Sequence, residues 1–183
     1  MSVRAVYEEE LRKRGFQSDP AQLRAIEALE HCANEWAAYR AKRSNALKKL
    51  INRPEIPKGV YMFGGVGRGK SFLMDCFYEA VPIQRKTRLH FHEFMREVHR
   101  EMTAMQGTVN PLDVLGKKMA KRYRLICFDE FHVADITDAM ILHRLLVALF
   151  DNGVGFVTTS NFMPDGLYPC LLYTSPSPRD AHE

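Results

Sequence analysis

No stretch of this 183-residue sequence approaches the roughly 18 consecutive apolar residues that a membrane-crossing helix requires. The opening Met1-Ser2-Val3-Arg4 leads directly into charged residues from Glu8 to Arg14, so there is no apolar leader core. Glu8-Glu9-Glu10 also contradict the acid-poor composition of an organelle transit peptide. The expectation is a cytoplasmic chain without a transmembrane segment. Cysteine is scarce: four residues, Cys32, Cys76, Cys127 and Cys170, form no C-x-x-C pair. A disulfide framework and a zinc knuckle are therefore not suggested, and a reducing compartment fits. Neither sign of charge dominates, since 26 basic residues face 22 acidic ones for a net +4. Without local clustering that balance permits a nucleic-acid partner but does not argue for one. Internal repeats are lacking too. What remains is 46% apolar and 26% charged, the make-up of a globular chain with a core.

Asp19-Pro20-Ala21-Gln22 reads as a helix start, with Asp19 capping, Pro20 in the first turn and Gln22 placed to reach back. Leu23, Ile26, Leu29, Ala33, Trp36 and Ala37 then recur at helical spacing, giving one apolar face to pack on a sheet. A basic stretch from Arg40 to Lys58 reads first as a solvated helix face, and DNA contact is its alternative. Residues 1–58 form an N-terminal helical region closed by Pro54 and Pro57. From Gly59 to Pro169, short apolar runs at Val60–Phe63, Leu89–His92, Leu125–Phe128 and Val154–Thr158 alternate with helical patterns at Ser71–Ala80, around Phe94, Val98 and Met102, and at Ile136–Phe150. Alternation of this kind predicts an α/β fold: a parallel sheet with helices on both faces.

Directly after the first strand stands Gly64-Gly65-Val66-Gly67-Arg68-Gly69-Lys70-Ser71, a complete G-x-x-x-x-G-K-[ST] phosphate loop between strand and helix. Its glycines allow backbone N–H groups to converge on phosphate oxygens, and the following helix aims its dipole at the same charge. Lys70 is placed to reach the β- and γ-phosphates, and the Ser71 hydroxyl to ligate Mg²⁺. Leu125-Ile126-Cys127-Phe128-Asp129-Glu130 is an apolar strand ending in two carboxylates, a Walker B pattern. Asp129 is the expected Mg²⁺ partner and Glu130 the base for an attacking water. Asn161 ends the fourth strand, where it can hold that water or touch the γ-phosphate. With no N-K-x-D guanine-reading motif, ATP is the expected nucleotide.

Other groupings carry less. His90, His92 and His99 miss the second histidine of H-E-x-x-H, and His90 and His92 are expected on one face of a strand. Asp135 and Asp138 are expected to cap the helix that follows, and Met95, Met102 and Met105 to fill the core.

Gly59 to Ser71, together with Phe91-His92-Glu93-Phe94-Met95, Cys127-Phe128-Asp129-Glu130-Phe131-His132-Val133, Asp135 to Leu142 and Thr159-Ser160-Asn161, resembles the ZapE-type cell-division ATPases and their mitochondrial relatives. The likeness runs from about Tyr7 to Pro169. It implies a P-loop NTPase fold of the AAA+ type, Mg²⁺-dependent ATP hydrolysis, and homo-oligomers with sites between subunits. It also implies a protein partner in the division ring, FtsZ in bacteria, and recruitment to the division site.

After Pro169 the likeness stops, before the arginine-finger segment, fifth strand and helical lid that it implies. The sequence from Cys170 to Asp180 instead matches, residue by residue, one reading frame of a transposon adapter used in sequencing libraries. Residues 170–183 are therefore expected to be a non-native tail. The fold is expected to be truncated before its fifth strand, with Val60–Phe63 as an exposed apolar edge.

Overall fold

The computed structural model describes residues 1–64, 69–162 and, for the backbone alone, 179–181. Ser2 caps α1 (Val3–Arg14) by accepting the Ala5 N–H at 3.0 Å, and Gly15 ends it with φ 67°. That left-handed turn costs glycine nothing. Asp19 caps α2 (Pro20–Lys42), its carboxylate accepting the Ala21 N–H at 2.8 Å. Gln22 does not reach back as expected. Its Oε1 accepts the Tyr7 hydroxyl at 2.9 Å and ties α2 to α1. A short helix α3 (Ala46–Ile51) follows, capped by Asn45.

The remainder alternates as β1 (Val60–Phe63), α4 (Lys70–Ala80), β2 (Lys86–His90), α5 (Phe91–Ala104), α6 (Pro111–Arg122), β3 (Leu125–Asp129), α7 (Ile136–Asp151) and β4 (Gly155–Ser160), with a short β5 at Arg179–Ala181. All strand pairs are parallel, in the order β2-β3-β4-β1-β5. Because side chains alternate across a strand, each central strand feeds two cores. Val60, Met62, Leu125 and Cys127 join the layer under α1, α2 and α4, and Tyr61, Ile126 and Phe128 join the layer under α5, α6 and α7. Along α2 the expected apolar face is real at Ile26, Leu29, Ala33 and Trp36, whereas Ala37 is exposed.

Other expectations also differ from the structure. The second strand spans Lys86–His90, and Phe91 begins a helix, because Phe91, Phe94, Met95 and Val98 bury one helical face over Phe128 and Phe131. His92 therefore lies in the first turn of α5 and shares no strand face with His90. Asp135 caps α7 by accepting the Thr137 N–H at 2.6 Å, but Asp138 is also paired with His99 at 2.7 Å. The apolar edge is not left open: Val60, Tyr61 and Met62 pair in parallel with Arg179, Asp180 and Ala181. Main-chain hydrogen bonds carry no side-chain code, so an unfilled strand edge accepts an extended segment tethered to the same chain. Met95 is buried as core filler, with Met102 and Met105 packed against the same cluster.

Helices α6 and α7 meet at Gly116, where a Cβ would lie 2.6 Å from the Ala148 Cβ and 3.3 Å from its carbonyl carbon. Gly116→Ala gains about 1 kcal/mol in helix propensity and incurs about 1–3 kcal/mol of overpacking against a helix backbone. We expect a net loss of about 1 kcal/mol, read as a lower midpoint in thermal or urea unfolding; a raised midpoint would show that the helices separate freely.

Candidate nucleotide-binding site

The phosphate loop joins β1 to α4. Gly65, Val66, Gly67 and Arg68 lie outside the described residues, but both ends of the loop are in place. Gly69 sits at φ 78° as the N-cap of α4, and a Cβ there would lie 2.6 Å from the Gln22 amide nitrogen. The left-handed backbone favours glycine here, and the Gln22 amide is the side-chain end that a Cβ would displace. The Lys70 ammonium donates to the Gly64 carbonyl at 2.8 Å. Ser71, in the N-terminal turn of α4, is exposed beside the cleft, where the positive end of the helix dipole lies.

The other wall comes from β3. Its five residues are all buried, so the Asp129 carboxylate stands at the end of an apolar strand and must be compensated. Arg88 of β2 does this: Nε donates to Oδ2 at 2.7 Å and a terminal nitrogen to Oδ1 at 3.3 Å. The same guanidinium pairs with Asp75 of α4 and donates to the Ser71 carbonyl at 3.2 Å. Burial alone would lower the Arg88 pKa, yet the hydrogen bonds to Asp129 and Asp75 outweigh it and hold the pKa above its usual value.

Glu130 follows in the left-handed region at φ 56°, uncommon for a side-chain-bearing residue. Its N–H donates to the Thr159 hydroxyl at 3.2 Å, while its carboxylate extends to solvent with one oxygen 3.6 Å from His90 Nδ1. The segment is locked to β4 by the Phe131 N–H donating to the Thr159 carbonyl at 2.8 Å and by the Ser160 hydroxyl donating to the Phe131 carbonyl at 2.6 Å.

These walls enclose an open cleft of about 430 Å³ in which Gly69, Lys70, Ser71, Glu130 and Asn161 come together; Asp129 is buried and does not line it, its carboxylate being held by Arg88. Residues the sequence reading did not single out also contribute. Arg14 and Phe72 line the cleft, with the Arg14 guanidinium 4.9 Å from the Phe72 ring centroid. Arg14 carries no local signal, because only the folding-back of α1 onto α4 brings it there. Arg88 had a signal in retrospect: a charged residue inside a short strand needs a partner, and register pairs it with Cys127, two residues before Asp129. Thiol chemistry is not on offer nearby, since burial pushes the Cys76 thiol up to about 11 and the Cys32 thiol up to about 12.

Residues 1–175 match the family model described as AFG1-like ATPase. The chain is 44% identical over 173 residues to the cell division protein ZapE of Escherichia coli K12, covering 88% of this chain and 46% of that protein. It is 42% identical over 128 residues to lactation elevated protein 1 homolog B of Danio rerio, covering 64% of this chain and 25% of that one. The chain therefore spans less than half the length of these relatives. Among solved structures, domain III of the Thermotoga maritima replication initiation protein DnaA is similar with TM-score 0.65 and 18% identity, over 91% of this chain and 64% of that one. DnaI is similar with TM-score 0.54 and 18% identity, over 87% and 76%. At such identities the likeness is one of fold, the AAA+ type.

Removing one partner of a nearly buried ion pair strands the other. Arg88→Leu is expected to lower unfolding free energy by about 3 kcal/mol. Adding Asp129→Leu should recover part of that loss, giving a coupling energy above about 1 kcal/mol in a double-mutant cycle. Additive losses would mean that the pair contributes nothing as a pair.

Proposed function

The chain belongs to the AFG1-like ATPase family, and we propose that the cleft between α4 and β3 binds ATP with Mg²⁺ and that the whole protein hydrolyses it to remodel a protein partner. The observation that carries this reading is the convergence of Lys70 and Glu130, from separate elements, on one cleft at the carboxyl ends of parallel strands. The backbone from Gly64 to Gly69, including Gly65, Val66, Gly67 and Arg68, cradles the phosphates, and Lys70 exchanges the Gly64 carbonyl for phosphate oxygens. Ser71 and Asp129 supply the hard oxygen donors that suit Mg²⁺, whose role when bound is to neutralise phosphate charge. Glu130 takes a proton from water as its oxygen attacks the γ-phosphorus, and the bond to the β–γ bridging oxygen breaks to leave ADP and phosphate. Asn161 orients that water or the γ-phosphate.

The Escherichia coli relative is named a cell division protein, so the division ring, with FtsZ as its polymer, is the partner in this reading. The protein would act as a homo-oligomer in the cytoplasm, recruited to the division site. No helix among the described residues is long and apolar enough to cross a membrane. The 59–169 segment is the ATPase core and residues 170–183 the foreign tail, although the family match ends at residue 175. A natural stop codon found by resequencing the source locus past Pro169 would overturn that division.

ATP binding, measured by calorimetry with Mg²⁺, should fall about 100-fold in Lys70→Ala and be retained in Glu130→Gln. In the completed gene Glu130→Gln should lower kcat at least 10²-fold, in line with loss of a general base. Unchanged turnover would remove Glu130 from the mechanism.

The neighbouring-subunit arginine implied by the family resemblance is worth on the order of 10³–10⁵ in related P-loop systems and has no matching residue here. The 183-residue chain alone is expected to release phosphate negligibly. Turnover comparable to a full-length relative would refute this.

A further inference from the structure

At the end of the sheet away from the cleft, where β2 and β3 begin, positive charge gathers without an answering carboxylate. The last turn of α2, the residues before β2 and Arg124 before β3 surround an open cleft of about 500 Å³ lined by Arg40, Arg43, Lys49, Arg85 and Arg124. The arginines are already posed by neutral acceptors. Arg40 donates to the Pro82 carbonyl at 3.4 Å, Arg43 to the Tyr39 hydroxyl at 2.7 Å, Arg85 to the Lys121 carbonyl at 3.0 Å and Arg124 to the Gly153 carbonyl at 2.9 Å. Among the described residues no carboxylate forms an ion pair with any of the five. Arg43 Nε is buried and has no hydrogen-bond partner among the described residues. Burial, with Arg85 and Arg43 nearby, also holds the Arg124 pKa below its usual value. Posed guanidinium groups facing one space without counter-charge are a receptor for phosphate oxygens.

The kind of phosphate follows from what stands beside the cleft. Lys49 belongs to α3, a helix with no buried residue, on which Leu47, Leu50 and Ile51, on either side of Lys48 and Lys49, are 65%, 79% and 68% exposed. Exposed aliphatic side chains gain nothing from a nucleic-acid backbone. Tyr39, the aromatic residue lining the cleft, is buried and offers no face for a base to stack on. A bilayer satisfies both features, since it presents phosphate at its surface and hydrocarbon just below.

We propose that this end of the molecule docks on an anionic phospholipid surface, with headgroup phosphates in the cleft lined by Arg40, Arg43, Lys49, Arg85 and Arg124, and with Leu47, Leu50 and Ile51 entering the boundary between headgroups and acyl chains. The site shares no residue with the nucleotide cleft. The five residues of β3 separate the two ends by about 17 Å.

The test is flotation of the full 183-residue chain with phosphatidylcholine vesicles, with and without about one-third phosphatidylglycerol. Binding should require the anionic lipid and weaken as salt rises from about 0.1 M to 0.5 M. Each charge at such a surface is worth about fivefold, so Arg40→Gln/Lys49→Gln/Arg85→Gln, all at exposed positions, should lose on the order of 100-fold in affinity. A second variant, Leu50→Ser/Ile51→Ser, should lose at least about tenfold; circular dichroism of both variants should match the parent. Equal binding to both vesicle types, no binding to either, or unchanged affinity in either variant overturns the proposal. So does a DNA oligonucleotide that binds both the parent and the Leu50→Ser/Ile51→Ser variant more tightly than the anionic vesicles bind the parent.

Discussion

A single guanidinium holds the working end of this molecule together. Asp129 stands at the end of an apolar buried strand, where an ionised carboxylate is tolerable only with a counter-charge and good hydrogen bonds. Arg88 supplies both, and because its other nitrogens reach Asp75 and the Ser71 carbonyl, the compensation for one strand end also fixes the helix that begins at the phosphate loop. The charge at Asp129 thus ties α4 to the ends of β2 and β3, whose own spacing the main-chain ladder sets.

The N-terminal helices complete that frame from outside the sheet. Tyr7 and Phe72 meet with ring centroids 5.7 Å apart, Tyr7 donates to Gln22, and Gln22 in turn crowds Gly69. A chain of contacts therefore runs from α1 through α2 to the last glycine of the loop. Burial raises the Tyr7 phenol pKa, so it remains a hydrogen-bond donor at neutral pH. The helical region before β1 is consequently part of the phosphate-loop architecture rather than an appendage to it.

Much of this was legible in the residues. The four core strands, the helices over both faces, and the grouping of Gly69, Lys70, Ser71, Glu130 and Asn161 follow from apolar periodicity and from motifs whose spacing has a mechanical reason. What escaped depended on contacts distant in sequence. In α6 the apolar residues Leu112, Leu115 and Met119 follow Gly107, Asn110 and Pro111, a loop-like cluster that obscures the helical period. Helix α1 was masked by charge, although Val3, Val6, Tyr7 and Leu11 are buried. At the end of β2 the high β propensity of Phe91 points to strand, and its packing on Phe128 and Phe131 overrides that preference. Arg14 and Arg88 reach the site only through tertiary structure, which no local pattern records.

The left-handed backbone at Glu130 has a consequence for timing. A residue in that region stores about 1–3 kcal/mol and holds its place only because Thr159 and Ser160 pin the segment on either side. The direction of the carboxylate is thus dictated by the main chain rather than by side-chain packing. The carboxylate is already held at the cleft before any ligand arrives, and the cost of placing it there is met during folding.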